Sequence, residues 1–194
     1  QVLLLGGTDQ DGTATPSVQL VDLATGICTP QAALLNACSL FAAARLLDGG
    51  IVCAGGTDGL STAEMWAAPV QGALEAAWTW RGLPAMSVWR SGCSGCTLSD
   101  GRFAVLGGYS TSGCTPSCEA LTLGDDEHWA PLPSTRDTRA HFACAAVAGC
   151  LIVARGGGCP ERKSAEVCDE MLGQWLRLPH DLPSDGGLLG SALL

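Results

Sequence analysis

The sequence lacks several features that would place it in common functional classes. It has 10 lysines and arginines against 19 aspartates and glutamates, so no excess of positive charge attracts nucleic acid or an anionic membrane surface. Its longest nearly uninterrupted apolar run, residues 142–154, contains a turn-forming Gly149. That run is shorter than the ~18–20 residues needed to span a bilayer. We therefore predict neither nucleic-acid partners nor membrane insertion.

Leader features and a high content of charge are also missing. The chain opens directly on a predicted strand, residues 1–5, without an initiator methionine, a basic leader or a signal cleavage site, a start that favours a segment of a longer product. Only 15% of the residues are charged and 47% are hydrophobic, which excludes a disordered chain and provides the material for a sizeable core.

The residues that are abundant point to many short strands. The 26 glycines and 10 prolines are scattered between short apolar runs, a pattern typical of an all-β protein. The 11 cysteines fall largely where equivalent segments carry Ala, Val or Phe, so we expect most to be reduced core residues, with disulfides or a metal as alternatives. The compartment stays open, and this expectation favours an intracellular one.

A period of about 50 residues runs through the chain. Four glycine pairs are separated by 49, 52 and 49 residues, and each follows an apolar run that predicts a strand, at 2–5, 51–54, 103–106 and 151–154. The pairs are Gly6 with Gly7, Gly55 with Gly56, Gly107 with Gly108, and Gly156 with Gly157.

Three further signals recur in each period. Alternating segments at 18–22, 63–66, 118–122 and 165–169 predict a strand after each glycine pair. The pattern Trp-x-x-Leu-Pro then begins at Trp80, Trp129 and Trp175, and the first period has Cys28-Thr-Pro there instead. Tight turns before the paired runs, at 48–49, 100–101 and 148–149, predict one more strand. Each period therefore predicts four strands.

Four strands, a double glycine and a late tryptophan resemble the kelch repeat, and the resemblance covers essentially the whole chain. It implies an all-β fold, a β-propeller of four-stranded antiparallel blades. The expected repeats are 1–37, 38–91, 92–140 and 141–187, and 188–194 is a last strand that would complete the first blade. The chain would be a closed four-bladed ring or a segment of a larger propeller. We expect the glycine pairs and the three tryptophans to be structural.

The chain lacks most of the residues that the known catalytic propellers of this kind require. Copper-radical oxidases need more than one tyrosine ligand, and the chain has only Tyr109. The Glu-x-x-x-Asp-x-x-x-His pattern of iron-dependent specifier proteins and the Ser-x-Asp-x-Gly-x-x-Trp box of sialidases are absent. The three histidines, His128, His141 and His180, lie in different kinds of element, which disfavours a nucleophilic triad. We predict no enzyme and no cofactor.

One cysteine pattern has metal-like spacing. Cys93-x-x-Cys96 is followed by Cys114-x-x-x-Cys118, within the range of zinc ribbons. Residues three apart on a strand point to opposite faces, so four ligands are hard to gather. Zinc is a weak candidate, beside a loop disulfide of Cys114 with Cys118 or Cys93, or unpaired thiols.

Charge divides between the two ends of the predicted sheets. The end with the first-to-second and third-to-fourth strand turns is strongly acidic, and the opposite end is near neutral. Glu64, Glu119 and Glu166 are expected to pair with Arg81 and Arg177 on neighbouring strands. We predict a non-catalytic module or scaffold subunit that binds an acidic peptide, or a larger assembly, through the near-neutral end. The alternative is a propeller enzyme or sugar-binding protein with its site at the central channel. The predicted partner-binding residues are Arg90, Arg136, Arg139, Arg155 and Arg162.

Overall fold

The computed structural model describes residues 1–57, 59–67, 78–157 and 163–182. Within these ranges the chain forms antiparallel β-sheets joined by turns and loops, and it contains no helix. The predicted all-β class is confirmed. No described stretch forms a helix of the length and apolarity that crossing a membrane requires.

Four sheets follow one another along the chain, each built as a meander of sequential strands. The second, third and fourth sheets have four strands, and the first has three among the described residues. A small hairpin, β10 with β11, extends from the third sheet. The first sheet contains β1 (Val2–Leu5), β2 (Val18–Val21) and β3 (Cys28–Pro30). The second sheet contains β4 (Ala42–Arg45), β5 (Ile51–Ala54), β6 (Ala63–Ala67) and β7 (Thr79–Leu83). The third sheet contains β8 (Ser94–Thr97), β9 (Phe103–Leu106), β12 (Cys118–Thr122) and β13 (His128–Leu132). The hairpin strands β10 (Tyr109–Ser110) and β11 (Gly113–Cys114) lie in the loop between β9 and β12. The fourth sheet contains β14 (Ala143–Val147), β15 (Cys150–Ala154), β16 (Ala165–Asp169) and β17 (Gln174–Arg177).

The sheets pack face to face, and the alternation of side chains along each strand decides which neighbour a residue contacts. In β9, Phe103 and Val105 pack against the second sheet, and Ala104 and Leu106 pack against the fourth. All four are fully buried, as expected for a strand with a sheet on each side. Three cores result, one between each successive pair of sheets.

The tryptophans of the fourth strands tie each sheet to the one before it. Trp129 Nε1 donates to the carbonyl of Pro84 at 2.7 Å, and Trp175 Nε1 donates to that of Pro133 at 2.9 Å. Trp80 Nε1 makes the same bond to the carbonyl of Ala32 at 2.8 Å. Each bond satisfies a buried donor with a carbonyl that lies just beyond the last strand of the preceding sheet.

Corresponding residues just before the inner strands form a short hydrogen-bonded chain. Gly92 N donates to Leu40 O at 2.7 Å, and His141 N donates to Gly92 O at 2.8 Å. All three residues have positive φ, at 58° for Leu40, 63° for Gly92 and 52° for His141. The entry to β4, β8 and β14 is therefore built in the same way three times, and these strands lie side by side.

The first sheet differs from the others in the part of the chain that the structure describes. It has no strand that corresponds to β4, β8 or β14, and β1 is an edge strand with Val2 and Leu4 exposed. The last predicted strand, 188–194, lies outside the described residues.

Candidate functional site

The two ends of the sheets carry different connections, and we name them accordingly. The turn face carries the tight turns at 46–50, 98–102 and 148–149 and the turns at 22–27, 123–127 and 170–173. The loop face carries the longer connections between second and third strands and the junctions between sheets. Four of the predicted partner-binding arginines, Arg90, Arg136, Arg139 and Arg155, belong to the loop face, and Arg162 lies outside the described residues.

Two of these arginines lie inside the protein. Arg139 is 1% exposed and Arg90 is 2% exposed. Arg139 Nη2 is 2.7 Å from Glu166 Oε1, and Arg90 Nε is 3.1 Å from Glu119 Oε1. Because neither guanidinium reaches the surface, Arg90 and Arg139 do not present their side chains to a partner, and each instead fixes its junction on the sheet that follows.

Both guanidinium groups use the same set of acceptors. Arg90 Nη1 donates to the carbonyls of Gly107 and Ser117, and its Nη2 donates to Ser117 Oγ. Arg139 repeats this pattern with the carbonyls of Arg155 and Ser164 and with Ser164 Oγ. A buried guanidinium is tolerated only with such complete pairing.

The glutamates of these pairs also bind the preceding junction. Glu166 accepts hydrogen bonds from the backbone N–H groups of Arg136 and Asp137 at 2.7 and 3.1 Å. Glu119 accepts one from Ser87 N at 3.1 Å. The prediction that the three buried glutamates pair with Arg81 and Arg177 is wrong, because those arginines bind the more exposed Glu127 and Asp181 instead.

The second sheet has the glutamate but not the arginine. Cys38 occupies the junction position of Arg90 and Arg139, since its carbonyl likewise accepts from the second glycine of a pair, Gly7, at 2.9 Å. Glu64 is 4% exposed and accepts from Leu35 N and Asn36 N. Burial raises the pKa of the Cys38 thiol to about 12, with Glu64 adding to the shift.

The remaining predicted arginines fall into three situations. Arg136 is exposed, and its side chain makes no ion pair with any residue in the described ranges. Arg155 is partly buried in the loop that follows β15, and Arg162 lies outside the described residues. Lys163, the only lysine of the chain, is exposed nearby. Among the described residues, Arg136, Arg155 and Lys163 are basic groups of this part of the loop face.

The backbone of Arg155 corrects the alignment of the fourth glycine pair. Arg155 N bonds Ser164 O at 3.0 Å, as Gly107 N bonds Ser117 O at 3.0 Å in the third sheet. Arg155 therefore holds the first-glycine position, with a φ of 65°, and Gly156 holds the second. The predicted pair, Gly156 with Gly157, is therefore wrong by one residue, since the structural pair is Arg155 with Gly156. The sequence favoured the later pair because both of its residues are glycines.

The other glycine pairs stand where a side chain would collide with the next junction. A Cβ atom on Gly107 would lie 2.6 Å from Arg139 O, and one on Gly55 would lie 2.5 Å from Arg90 O. Both residues have positive φ. Close approach and backbone conformation both explain the glycines.

An aromatic pair lies on the loop face beside the junctions. Tyr109, at the start of the β10–β11 hairpin, packs on His141 with 5.6 Å between ring centroids. Burial lowers the pKa of His141, so its ring is neutral at neutral pH and adds no charge to the face. The sequence analysis did not predict this contact, although the turn-forming stretch 111–113 favours a hairpin at this position.

The inner strands border the space expected for the central channel. A cavity of about 340 Å³ lies between β4, β8 and β14 and is lined mainly by alanines, with Arg45, Thr97, Cys96 and Cys144 as its functional side chains. A hydrogen bond with Cys96 and burial hold the pKa of Cys144 well above the usual range of a thiol. The described lining contains no carboxylate or imidazole, the groups that most often perform acid–base catalysis.

The metal-like cysteines are distributed over separate parts of the fold. Cys93 packs between the second and third sheets, Cys96 and Cys118 pack between the third and fourth, and Cys114 belongs to the hairpin. No group of three or more potential ligands that could hold a metal ion occurs in the described ranges. Eight of the described cysteines are free thiols: Cys28, Cys38, Cys53, Cys93, Cys96, Cys118, Cys150 and Cys168.

Comparison with known proteins gives no family for this arrangement: no model of a protein family matches the chain, and no curated protein matches it.

Proposed function

We propose that the chain is an array of kelch-like repeats, forming all or part of a β-propeller, and that it binds an acidic protein segment through its loop face. The proposal of a propeller is supported by the repeated meander, by the tryptophan bonds between successive sheets, and by the hydrogen-bonded chain from Leu40 through Gly92 to His141. The inner strands β4, β8 and β14 border one cavity, as radially arranged blades would.

The observation that carries the binding proposal is the guanidinium of Arg136, which is exposed on the loop face and makes no ion pair with any residue that the structure describes. Lys163 and Arg155 add positive charge in the same region. A guanidinium donates two parallel hydrogen bonds to a carboxylate, which suits an acidic peptide. Tyr109 and His141 add a pair of aromatic rings to the same face.

Fluorescence anisotropy with a labelled twelve-residue glutamate-rich peptide tests the proposal, with the glutamine version of that peptide as a neutral control. Arg136→Ala combined with Lys163→Ala should weaken binding of the acidic peptide by about tenfold, since rim charges contribute about 1 kcal/mol or less each. Arg45→Ala, which removes an exposed arginine from the turn face, is the matched control and should leave affinity unchanged. Equal affinity for both peptides, or an unchanged affinity in the double variant, would reject the proposed binding face.

A further inference from the structure

A second cavity lies between the third and fourth sheets at the turn face. It has a volume of about 190 Å³, and apolar groups from both sheets form its walls. The main wall residues are Leu98, Leu106, Leu132, Leu151, Cys168 and Trp175. Pockets that hold whole small molecules measure roughly 300–1,000 Å³, so this cavity has the size for one side chain of a partner.

A carboxylate with one unused oxygen lines this cavity. Glu170, in the turn between β16 and β17, accepts hydrogen bonds at Oε2 from Ser99 N at 2.9 Å and from Ser99 Oγ at 2.6 Å. Its Oε1 is buried and has no hydrogen-bond partner among the described residues. A buried acceptor without a donor is unfavourable, and more so when it is charged, so an incoming donor would be favoured there.

An arginine of the protein also lines the cavity, but it is already paired with a carboxylate. Arg102 Nε is 2.7 Å from Asp100 Oδ2. The turn face as a whole carries eight described carboxylates against the arginines Arg45 and Arg102 and the guanidinium of Arg81, which pairs with Glu127. The eight are Asp22, Asp48, Asp100, Asp125, Asp126, Glu127, Asp169 and Glu170. The field at the cavity mouth therefore attracts cations.

We propose that this cavity binds the lysine side chain of a partner protein, with its ammonium group on Glu170 Oε1 and its methylene stem against the leucines. Lysine suits the cavity better than arginine, because a single free oxygen cannot form the bidentate contact that a guanidinium prefers. An ammonium group is a compact donor, and its aliphatic stem packs on apolar walls. This site is on the opposite face from the proposed acidic-peptide surface and does not depend on it.

Protein-observed NMR titration tests the proposal with three defined probes: the Nα-acetyl methylamides of lysine, norleucine and arginine. The resonances to follow are the indole N–H of Trp175 and the backbone N–H of Ser99. Lysine should shift both saturably, and norleucine, which has a similar stem without the ammonium group, should bind at least tenfold more weakly. Equal binding of lysine and norleucine, or no saturable shift with lysine, would overturn the proposal.

Two variants separate the specific carboxylate from the general negative charge. Glu170→Gln keeps the size of the side chain and an acceptor for Ser99 but places no negative charge in the cavity, and it should reduce lysine binding at least tenfold. Asp126→Asn removes one charge from the same face at a side chain that is 95% exposed, and lysine binding should persist. Undiminished lysine binding in Glu170→Gln would contradict the proposal. If that variant does not fold, the comparison of lysine with norleucine on the unmodified protein decides the question.

Discussion

Arg90 Nε lies 3.1 Å from Glu119 Oε1 in an ion pair whose side chains are 2% and 4% exposed. The arginine belongs to the junction before the third sheet and the glutamate to the third strand of that sheet, so the pair fixes the junction on the sheet. Arg139 and Glu166 repeat the relationship in the fourth sheet.

Breaking this buried pair from one side should be strongly destabilising. Arg90→Met leaves the Glu119 carboxylate buried without its cation, and the free energy of unfolding should fall by about 3–5 kcal/mol. Arg81→Met is the matched control, because Arg81 is 45% exposed in its pair with Glu127 and should cost about 0–1 kcal/mol. Urea unfolding measures both, and equal losses would show that the buried pair has no special role.

Sequence patterns predicted the strands well because strand periodicity and turn residues are local properties. The predicted runs at 51–54 and 103–106 coincide with β5 and β9, and those at 118–122 and 165–169 coincide with β12 and β16. The predicted tight turns at Gly49, Gly101 and Gly149 all have positive φ. These outcomes depend on residues within a few positions of one another.

The burial of Arg90 and Arg139 was not predicted, because their glutamate partners lie 27 to 29 residues away along the chain. Arg90 and Arg139 carry the same charge as Arg136, and no local pattern separates a buried guanidinium from an exposed one. One signal was available: Glu64, Glu119 and Glu166 occupy the second position of three equivalent strands. A charged residue repeated within apolar strands indicates a buried ion pair better than an exposed one.

Gly107 provides a test of the close contact between sheets. Gly107→Ala introduces a Cβ that would lie 2.6 Å from Arg139 O, at a residue with a φ of 55°. The free energy of unfolding should drop by about 1–3 kcal/mol from the backbone conformation alone, and the contact adds to this loss. Gly82→Ala in β7 meets no atom within 4 Å and should be nearly neutral, so equal effects of the two changes in urea unfolding would contradict the contact.

Arg155 has a strained backbone at a position where the second and third sheets use glycine. Arg155→Gly should raise the free energy of unfolding by about 1 kcal/mol, because it relieves the positive φ of 65°. The same change should weaken binding of the glutamate-rich peptide if the side chain contributes to the loop face. A variant that is less stable than the parent by thermal unfolding would contradict the assignment of strain to this residue.

The buried thiols predict a loss of stability at alkaline pH. Burial raises the pKa of Cys93 and of Cys118 to about 11, whereas a thiol in the unfolded chain titrates near pH ~8.5. As pH rises between these values, the unfolded chain loses protons that the folded chain retains, so the free energy of unfolding falls.

Urea unfolding in reducing buffer at a series of pH values from about 8 to 11 measures that slope. Each thiol contributes up to about 1.4 kcal/mol per pH unit, and Cys118→Ala should flatten the slope accordingly. Cys28→Ala, at an exposed cysteine, should leave it unchanged. A slope that does not respond to Cys118→Ala would contradict the protonated, buried state of this thiol.

NMR mapping of where a glutamate-rich peptide binds distinguishes the loop face from the turn face and the inner cavity. Binding at the loop face should give saturable shifts at the backbone N–H groups of Tyr109, Arg136 and His141, with the turn-face residues Ser99 and Asp126 unaffected. Shifts confined to the turn face or to the lining of the inner cavity, or no saturable shifts at all, would contradict it.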